Sequence, residues 1–380
     1  MRSRAILYAS ALCTLLLILL AFFGTRTLVL ASYTATTATQ VNHFSPVTSF
    51  RSKGLDGPYH TQGNRIIGAD KKPYLFHGIG RSGLEFTCFG DGHFSAQELS
   101  YMGTGKNTST ATYWQANTVR LPLSEYFWLK GDPTKYCPAA QYQQLVKNSV
   151  AALTKSQLNV ILDLHHNDAG GQVTGQGQTL AMPDADSVTF WKQVAVTFKG
   201  NNNVLFELYN EPHPPNWACW QQGCALTNDG GHSYQSVGMQ ALVNAVRGTG
   251  AGNIVIIGGV RWGFDISQIA KFPLTGKDIV YSSHPYPYGD KGPNTWDQAF
   301  ATISASYPVI STESGQYDCK TDFMSKLLTY FDAHDIGWVS WAWVSVNGGC
   351  GYPQLITNYN GTPAVALGQY IYQRLHSYTT

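Results

Sequence analysis

Three features of the chain predict an α/β fold, a single (β/α)8 TIM barrel with an N-terminal β-hairpin. Eight short apolar runs recur across residues 74–343, stretches with helical apolar spacing separate most of them, and polar residues gather at their C-terminal ends. Eight buried strands alternating with helices point to a parallel sheet closed on itself, and about 320 residues is a common size for one such barrel.

The elements follow in order. Residues 1–31 carry Arg2 and Arg4, then the apolar stretch "AILYASALCTLLLILLAFFG", then Val29 and Ala31 before Ser32. This is the pattern of a secretory signal peptide. Its apolar length approaches the ~20 residues that span a bilayer, so an uncleaved membrane anchor is the alternative. Residues 32–57 are polar, rich in Thr and Ser and aperiodic, and are expected to be a flexible tether. Residues 58–380 are expected to form the barrel domain. A hairpin is predicted from "GNRIIGADKKPYLF", with its turn at Gly68-Ala69-Asp70. The eight strands are predicted at residues 74–79, 117–123, 159–166, 203–210, 253–259, 278–284, 308–314 and 337–343. Helices are predicted in "QYQQLVKNSVAALTKSQ" and "SVTFWKQVAVTFKG", where apolar residues recur at helical spacing.

Removing residues 1–31, which hold Arg2, Arg4 and Arg26 and no acidic residue, leaves 22 basic against 23 acidic residues. Such a balance offers no electrostatic footprint for nucleic acid or an anionic membrane. Charged residues are 13% of the chain and aromatics another 13%, with 10 Trp and 22 Tyr. This suits an uncharged polar ligand that stacks on rings. Cys13 leaves with the leader, and six cysteines remain, an even set that in an exported chain suggests disulfides. The expected pairs are Cys88–Cys137, Cys219–Cys224 and Cys319–Cys350. The absence of any C-x-x-C or H-x-x-x-H pair speaks against structural zinc.

The strand-end residues are Arg120; Asp163, His165 and His166; Asn210 and Glu211; His284 and Tyr286; Glu313; and Trp341 with Trp343. That end of a parallel barrel carries its active site. Glu211, after the fourth run, and Glu313, after the seventh, would face each other across the mouth. One carboxylic acid can then protonate a glycosidic oxygen while the other attacks the anomeric carbon; in a retaining enzyme the two stand about 5–5.5 Å apart. Taken singly, a rim glutamate is usually a solvated or salt-bridged side chain, and His165 or His284 alone reads as a hydrogen-bonded core histidine. "DLHHND" contains metal-ligand residue types, but adjacent histidines on a strand point to opposite faces. Arg120 lies inside an apolar run, and a buried guanidinium requires an anionic partner, for which Glu313 is the natural candidate.

In their order, "TVRLPLS" (118–124), "ILDLHH" (161–166), "NEP" (210–212), "SSHPYPY" (282–288), "VISTESG" (309–315) and "VSWAW" (339–343) resemble glycoside hydrolase family 5, the cellulase family, especially its bacterial endoglucanases. The resemblance covers nearly all of residues 58–378. It implies Glu211 as general acid/base and Glu313 as nucleophile, with Asn210 bonded to the sugar 2-hydroxyl. It implies that Arg120 and Tyr286 orient Glu313, that His165 and His284 line the cleavage subsite, and that Trp341 is a sugar platform. No metal or organic cofactor is implied. The chain is expected to be secreted, or held at the membrane by its N-terminal segment, and to act as a monomer on a polysaccharide. The resemblance implies an endo-β-1,4-glucanase; a β-mannanase or chitosanase with the same machinery, or a non-catalytic carbohydrate-binding barrel, are the alternatives. Trp343 departs from the family pattern and shares a strand face with Trp341, so either could be the platform. Trp217, Trp220, Trp262 and Trp296 are candidates for further subsites or for burial in the shell. Neither G-x-S-x-G nor H-E-x-x-H occurs, which argues against a serine or zinc hydrolase.

Overall fold

The computed structural model describes residues 54–167, 180–228, 231–318, 320–346 and 351–378. A short antiparallel hairpin, β1 (His60–Gln62) and β2 (Arg65–Ile67), comes first. Its turn is at Gly63-Asn64, one element earlier than the sequence suggests. The expected turn at Gly68-Ala69-Asp70 does fold the chain back, but only an isolated bridge joins Ile67 to Pro73. Proline has no N–H to extend a ladder there, whereas Gly-Asn suits a two-residue hairpin loop, and Gly63 has a φ of 59°.

Eight parallel strands follow, and each falls on one of the eight apolar runs. They are β3 (His77–Gly80), β4 (Thr118–Ser124), β5 (Asn159–His166), β6 (Val204–Glu207), β9 (Val255–Gly258), β10 (Ile279–Ser282), β11 (Val309–Ser314) and β12 (Gly337–Ser340). They hydrogen-bond in chain order, and β12 pairs with β3 to close the barrel. Two-stranded ribbons, β7 (Ala225–Thr227) with β8 (Ser233–Gln235) and β13 (Ile356–Asn358) with β14 (Thr362–Pro363), are inserted between these elements. The predicted helices form over Ala139–Lys155 and Ala185–Phe198. The first buries Tyr142, Val146, Val150 and Leu153, a stripe of helical spacing against the barrel. The second starts at Asp184, whose carboxylate accepts from the amides of Asp186 and Ser187.

Strand alternation sorts the side chains into two cores. Val160, Leu162 and Leu164 of β5 face the helical shell, while Ile161 points into the lumen with Leu205, Ile256, Val280, Ile310 and Val339. Tyr59, Ile66 and Tyr74 of the hairpin region join this second cluster. The hairpin therefore plugs one end of the barrel with apolar rings, and the lumen above that layer is left to polar groups. Disulfides join Cys88 to Cys137 and Cys219 to Cys224. The third expected pair, Cys319–Cys350, lies outside the described residues, as do the leader and most of the tether. Among the described residues no helix is long and apolar enough to cross a membrane.

Candidate active site

The polar layer is organised by Arg120. Its inward position on β4 follows from the strand period: Val119 and Leu121 face the shell, so Arg120 faces the lumen. The guanidinium is fully buried and spends its donors in four directions. Nε bonds Glu207 at 2.6 Å, Nη1 bonds Glu313 at 2.6 Å, and Nη2 bonds Asn210 Oδ1 at 2.7 Å and lies 2.9 Å from Asp163 Oδ2. Burial works against its charge, but the three carboxyls outweigh burial and push its pKa above the ordinary value. Burial would raise Glu207 too, yet Arg120 and His284 hold it down to about 2. Burial, with repulsion from Glu207 and Glu313, raises Asp163 despite Arg120.

Glu313 takes a second donor from across the site, as the Tyr286 hydroxyl bonds its other oxygen at 2.7 Å. Burial and the neighbouring Glu313 raise the tyrosine pKa, which keeps that hydroxyl a donor. Neighbouring strand residues normally face opposite ways, yet Thr312 and Glu313 both reach the site. A register shift between β11 and β12, spanning Ser311 to Ser314, accounts for this, since an irregularity of that kind re-aims a side chain. Glu211 lies beyond the end of β6 with its side chain 20% exposed, while that of Glu313 is 8% exposed. One ligand-type atom from each of Glu211, His284 and Glu313 can be chosen so that all three lie within 4.8 Å of one another. Three such donors would also suit a cation.

His284 is completely buried beneath these carboxyls and does not form an open wall of the cleft. Nε2 lies 2.8 Å from Thr312 Oγ1 and 3.3 Å from Glu207, and Nδ1 is 3.4 Å from Glu211. Burial alone would lower its pKa, but Glu207 and Glu211 reverse that and raise it to about 9. His165 behaves oppositely: burial and the Arg120 charge bring it down to about 3, with Nδ1 2.7 Å from Asp163. His166, on the other strand face, bonds the Glu85 carbonyl at 2.8 Å.

The tryptophans are also separated. Trp343 is buried against Trp114, with ring centroids 5.2 Å apart, and has no face left for a ligand. Trp341 lies parallel to the His165 ring at 5.5 Å and is pinned through Nε1 to the Tyr352 hydroxyl at 2.8 Å. It also packs so close to Gly80 that a Cβ there would meet its ring at 2.5 Å. Trp217, Trp220 and Trp296 are buried, whereas Trp262 is 45% exposed with one face against the His213 ring at 3.5 Å. Trp262 borders a recess of about 700 Å³ whose lining includes Glu211, Glu313, Tyr286, Tyr288 and Lys291.

Arg120, Asp163, His165, Asn210, Glu211, His284, Tyr286 and Glu313 are therefore brought together in or under one cleft, with Trp341 stacked on His165, whereas His166 faces the other side of β5 and Trp217, Trp220, Trp296 and Trp343 are packed in the shell. Two participants were missed, Glu207 and Thr312. Glu207 had a legible signal, because a carboxylate closing the buried run "VLFE" needs a cation as surely as Arg120 needs an anion. Thr312 had none, since its role depends on the β11 irregularity.

A model of the family Cellulase (glycosyl hydrolase family 5) matches residues 89–347. An endoglucanase of Paenibacillus polymyxa is 24% identical, over 79% of this chain and 82% of that protein. A Thermoanaerobacterium cellulase, CelDZ1, is 23% identical, over 62% of this chain and 59% of its own length. The solved structure of cellulase Cel5C_n superposes with a TM-score of 0.64 at 21% identity, over 88% of this chain and 94% of that one. A β-glucanase of Saccharophagus degradans, solved in complex with cellotetraose, gives 0.62 at 19% identity, over 89% and 98%. At these identities the superpositions speak for the fold, and the family match spans most of the barrel. The chain belongs to the cellulase family, glycosyl hydrolase family 5.

Proposed function

We propose that the protein is a retaining endo-β-1,4-glucanase, exported by its N-terminal segment, that cleaves a β-glucan by double displacement. The observation that carries this reading is the pairing of Glu211 and Glu313. One oxygen of each lies within 4.8 Å of the other, a close approach that supports the short carboxyl separation of retaining enzymes. Their surroundings divide the labour. Glu313 accepts from Arg120 and Tyr286, donors that favour a carboxylate ready to attack. Glu211, more exposed and facing the recess, is placed to meet a leaving oxygen.

In the first step Glu313 attacks the anomeric carbon, the glycosidic bond breaks, and Glu211 gives its proton to the departing sugar oxygen. In the second, Glu211 takes a proton from water, which attacks the glycosyl-Glu313 ester and frees the carboxylate. Asn210, fixed by Arg120, would bond the sugar 2-hydroxyl, and Trp341 would lie under the ring held by Glu313. The cellotetraose bound by the Saccharophagus relative agrees with a β-1,4-glucan as ligand.

The test is reducing-end release from carboxymethylcellulose, barley β-glucan, glucomannan, mannan, xyloglucan and chitosan, with NMR of the first anomer formed. β-1,4-Glucan cleavage with retained configuration is expected. Glu211→Gln and Glu313→Gln should each lower kcat by about 10²–10⁴-fold or more, and near-full activity in either variant would refute the mechanism. Cleavage confined to mannan or chitosan would keep the machinery and change the substrate. A folded protein that binds glycan without cutting it would be a binding barrel.

A further inference from the structure

Lys291 is the only lysine that is buried among the described residues, at 7% exposure. A buried lysine ordinarily has an anionic partner. Here, among the described residues, the ammonium makes a single hydrogen bond, a long one of 3.5 Å to the Trp262 carbonyl oxygen, and stands 5.6 Å from the centre of the Phe264 ring. It has three N–H donors, so at least two are uncommitted. The nearby Asp290 carboxylate is engaged by Arg261 in an ion pair. That pair also ties the loop of Lys291 to the Arg261-Trp262 segment, which adopts left-handed backbone angles (φ 56° and 60°). Lys291 and Trp262 are thus held by one brace on the wall of the recess that contains Glu211.

A proton donor to the glycosidic oxygen must face the sugar that leaves. On the reading of Glu211 as that donor, the recess around it is the leaving-group side, and Trp341 with His165 marks the other. We propose that Lys291 is a specificity-determining residue of the leaving-group side, donating hydrogen bonds to hydroxyls of the departing sugar while Trp262 stacks against it. A neutral polyol fits better than an anion because Glu211 and Glu313 line the same recess and would repel a second carboxylate. This assignment rests on the glucanase reading above.

The experiment compares Lys291→Met and Lys291→Gln with wild type on cellohexaose and on phenyl β-cellobioside. The aryl substrate has no leaving sugar, yet its phenol still needs acid assistance. Lys291→Met is expected to lose about 10- to 100-fold in kcat/KM on cellohexaose, with a change of about twofold or less on the aryl glycoside. Lys291→Gln, which keeps a donor without charge, should fall between. The melting temperature should change little. Equal losses on both substrates would overturn the assignment, since the lysine would then act through Glu211 or the fold. No loss on either would overturn it as well. A wild type that cleaves phenyl β-cellobioside with unimpaired Lys291→Met kinetics on cellohexaose would refute Lys291 alone, whereas a wild type inert on both would refute the glucanase reading.

Discussion

Arg120 and His284 do for the carboxyls what solvent cannot do in a sealed lumen. Arg120 neutralises Glu207 and Glu313 together and orients Asn210, so ground-state charge and substrate contact are set by one side chain. His284 completes the set from below, and its pKa of about 9 against an ordinary 6.5 makes stability depend on pH. A group whose folded pKa is raised contributes fully below about pH 6.5, and that contribution is lost as pH rises through about 9. Glu207 is the opposite case, held at about 2; its contribution is present above about 4.5 and disappears as pH falls toward 2. His165, depressed to about 3, adds to the acid loss, because an unfolded histidine takes up a proton below about 6.5. On the alkaline side His284 contributes a few kcal/mol, on the order of 3, and the buried carboxyls of Asp163 and Glu85, also raised, lose their contribution in the same direction as pH rises. Chemical denaturation across pH 6–10 should show wild-type stability falling, most steeply toward pH 9, and a clearly shallower fall in His284→Asn. An unchanged fall in the variant would exclude the assignment.

Among elements, strand ends and the loops after them differ in how they are held. The strands position Arg120, Asp163 and Glu207 by period alone, but Glu313 requires the β11 irregularity and Trp341 requires the close approach at Gly80. The loop after β3 is held covalently. Cys88–Cys137 closes a stretch of 49 residues and anchors the loop three residues after Glu85, whose carboxylate accepts from the Gly83 amide at 2.6 Å and the Ser82 hydroxyl at 2.5 Å. Burial raises that carboxyl to about 7. Removing the bond as Cys88→Ser/Cys137→Ser should lower unfolding free energy by roughly 4 kcal/mol on loop-closure grounds, measured by guanidinium titration. A much smaller change would mean that packing of Leu84 and Phe94 already holds the loop.

For the whole molecule, the leader and tether expected from residues 1–57 remain a proposal. They make a definite prediction: protein recovered from the medium of an exporting host should begin at Ser32 and lack Cys13, as read by intact mass. Recovery of the full-length chain from membranes would identify the segment as an anchor.

The sequence by itself determined the barrel, because eight apolar runs, most of them separated by stretches of helical spacing, have few other ways to bury themselves, and it marked the strand ends where chemistry gathers. It also made Arg120 conspicuous, since a guanidinium in an apolar run demands a counter-charge wherever the chain folds. Only the tertiary structure decided which carboxyls answer that demand, that His284 lies under the cleft, that Trp343 packs on Trp114 while Trp341 lies parallel to His165, and that one lysine among the described residues is buried, on the wall of the recess that holds Glu211. The physical reason is range. Strand period and burial are local and can be read along the chain, but pairing in a lumen joins residues from strands up to 193 positions apart, and no local pattern records which of them meet.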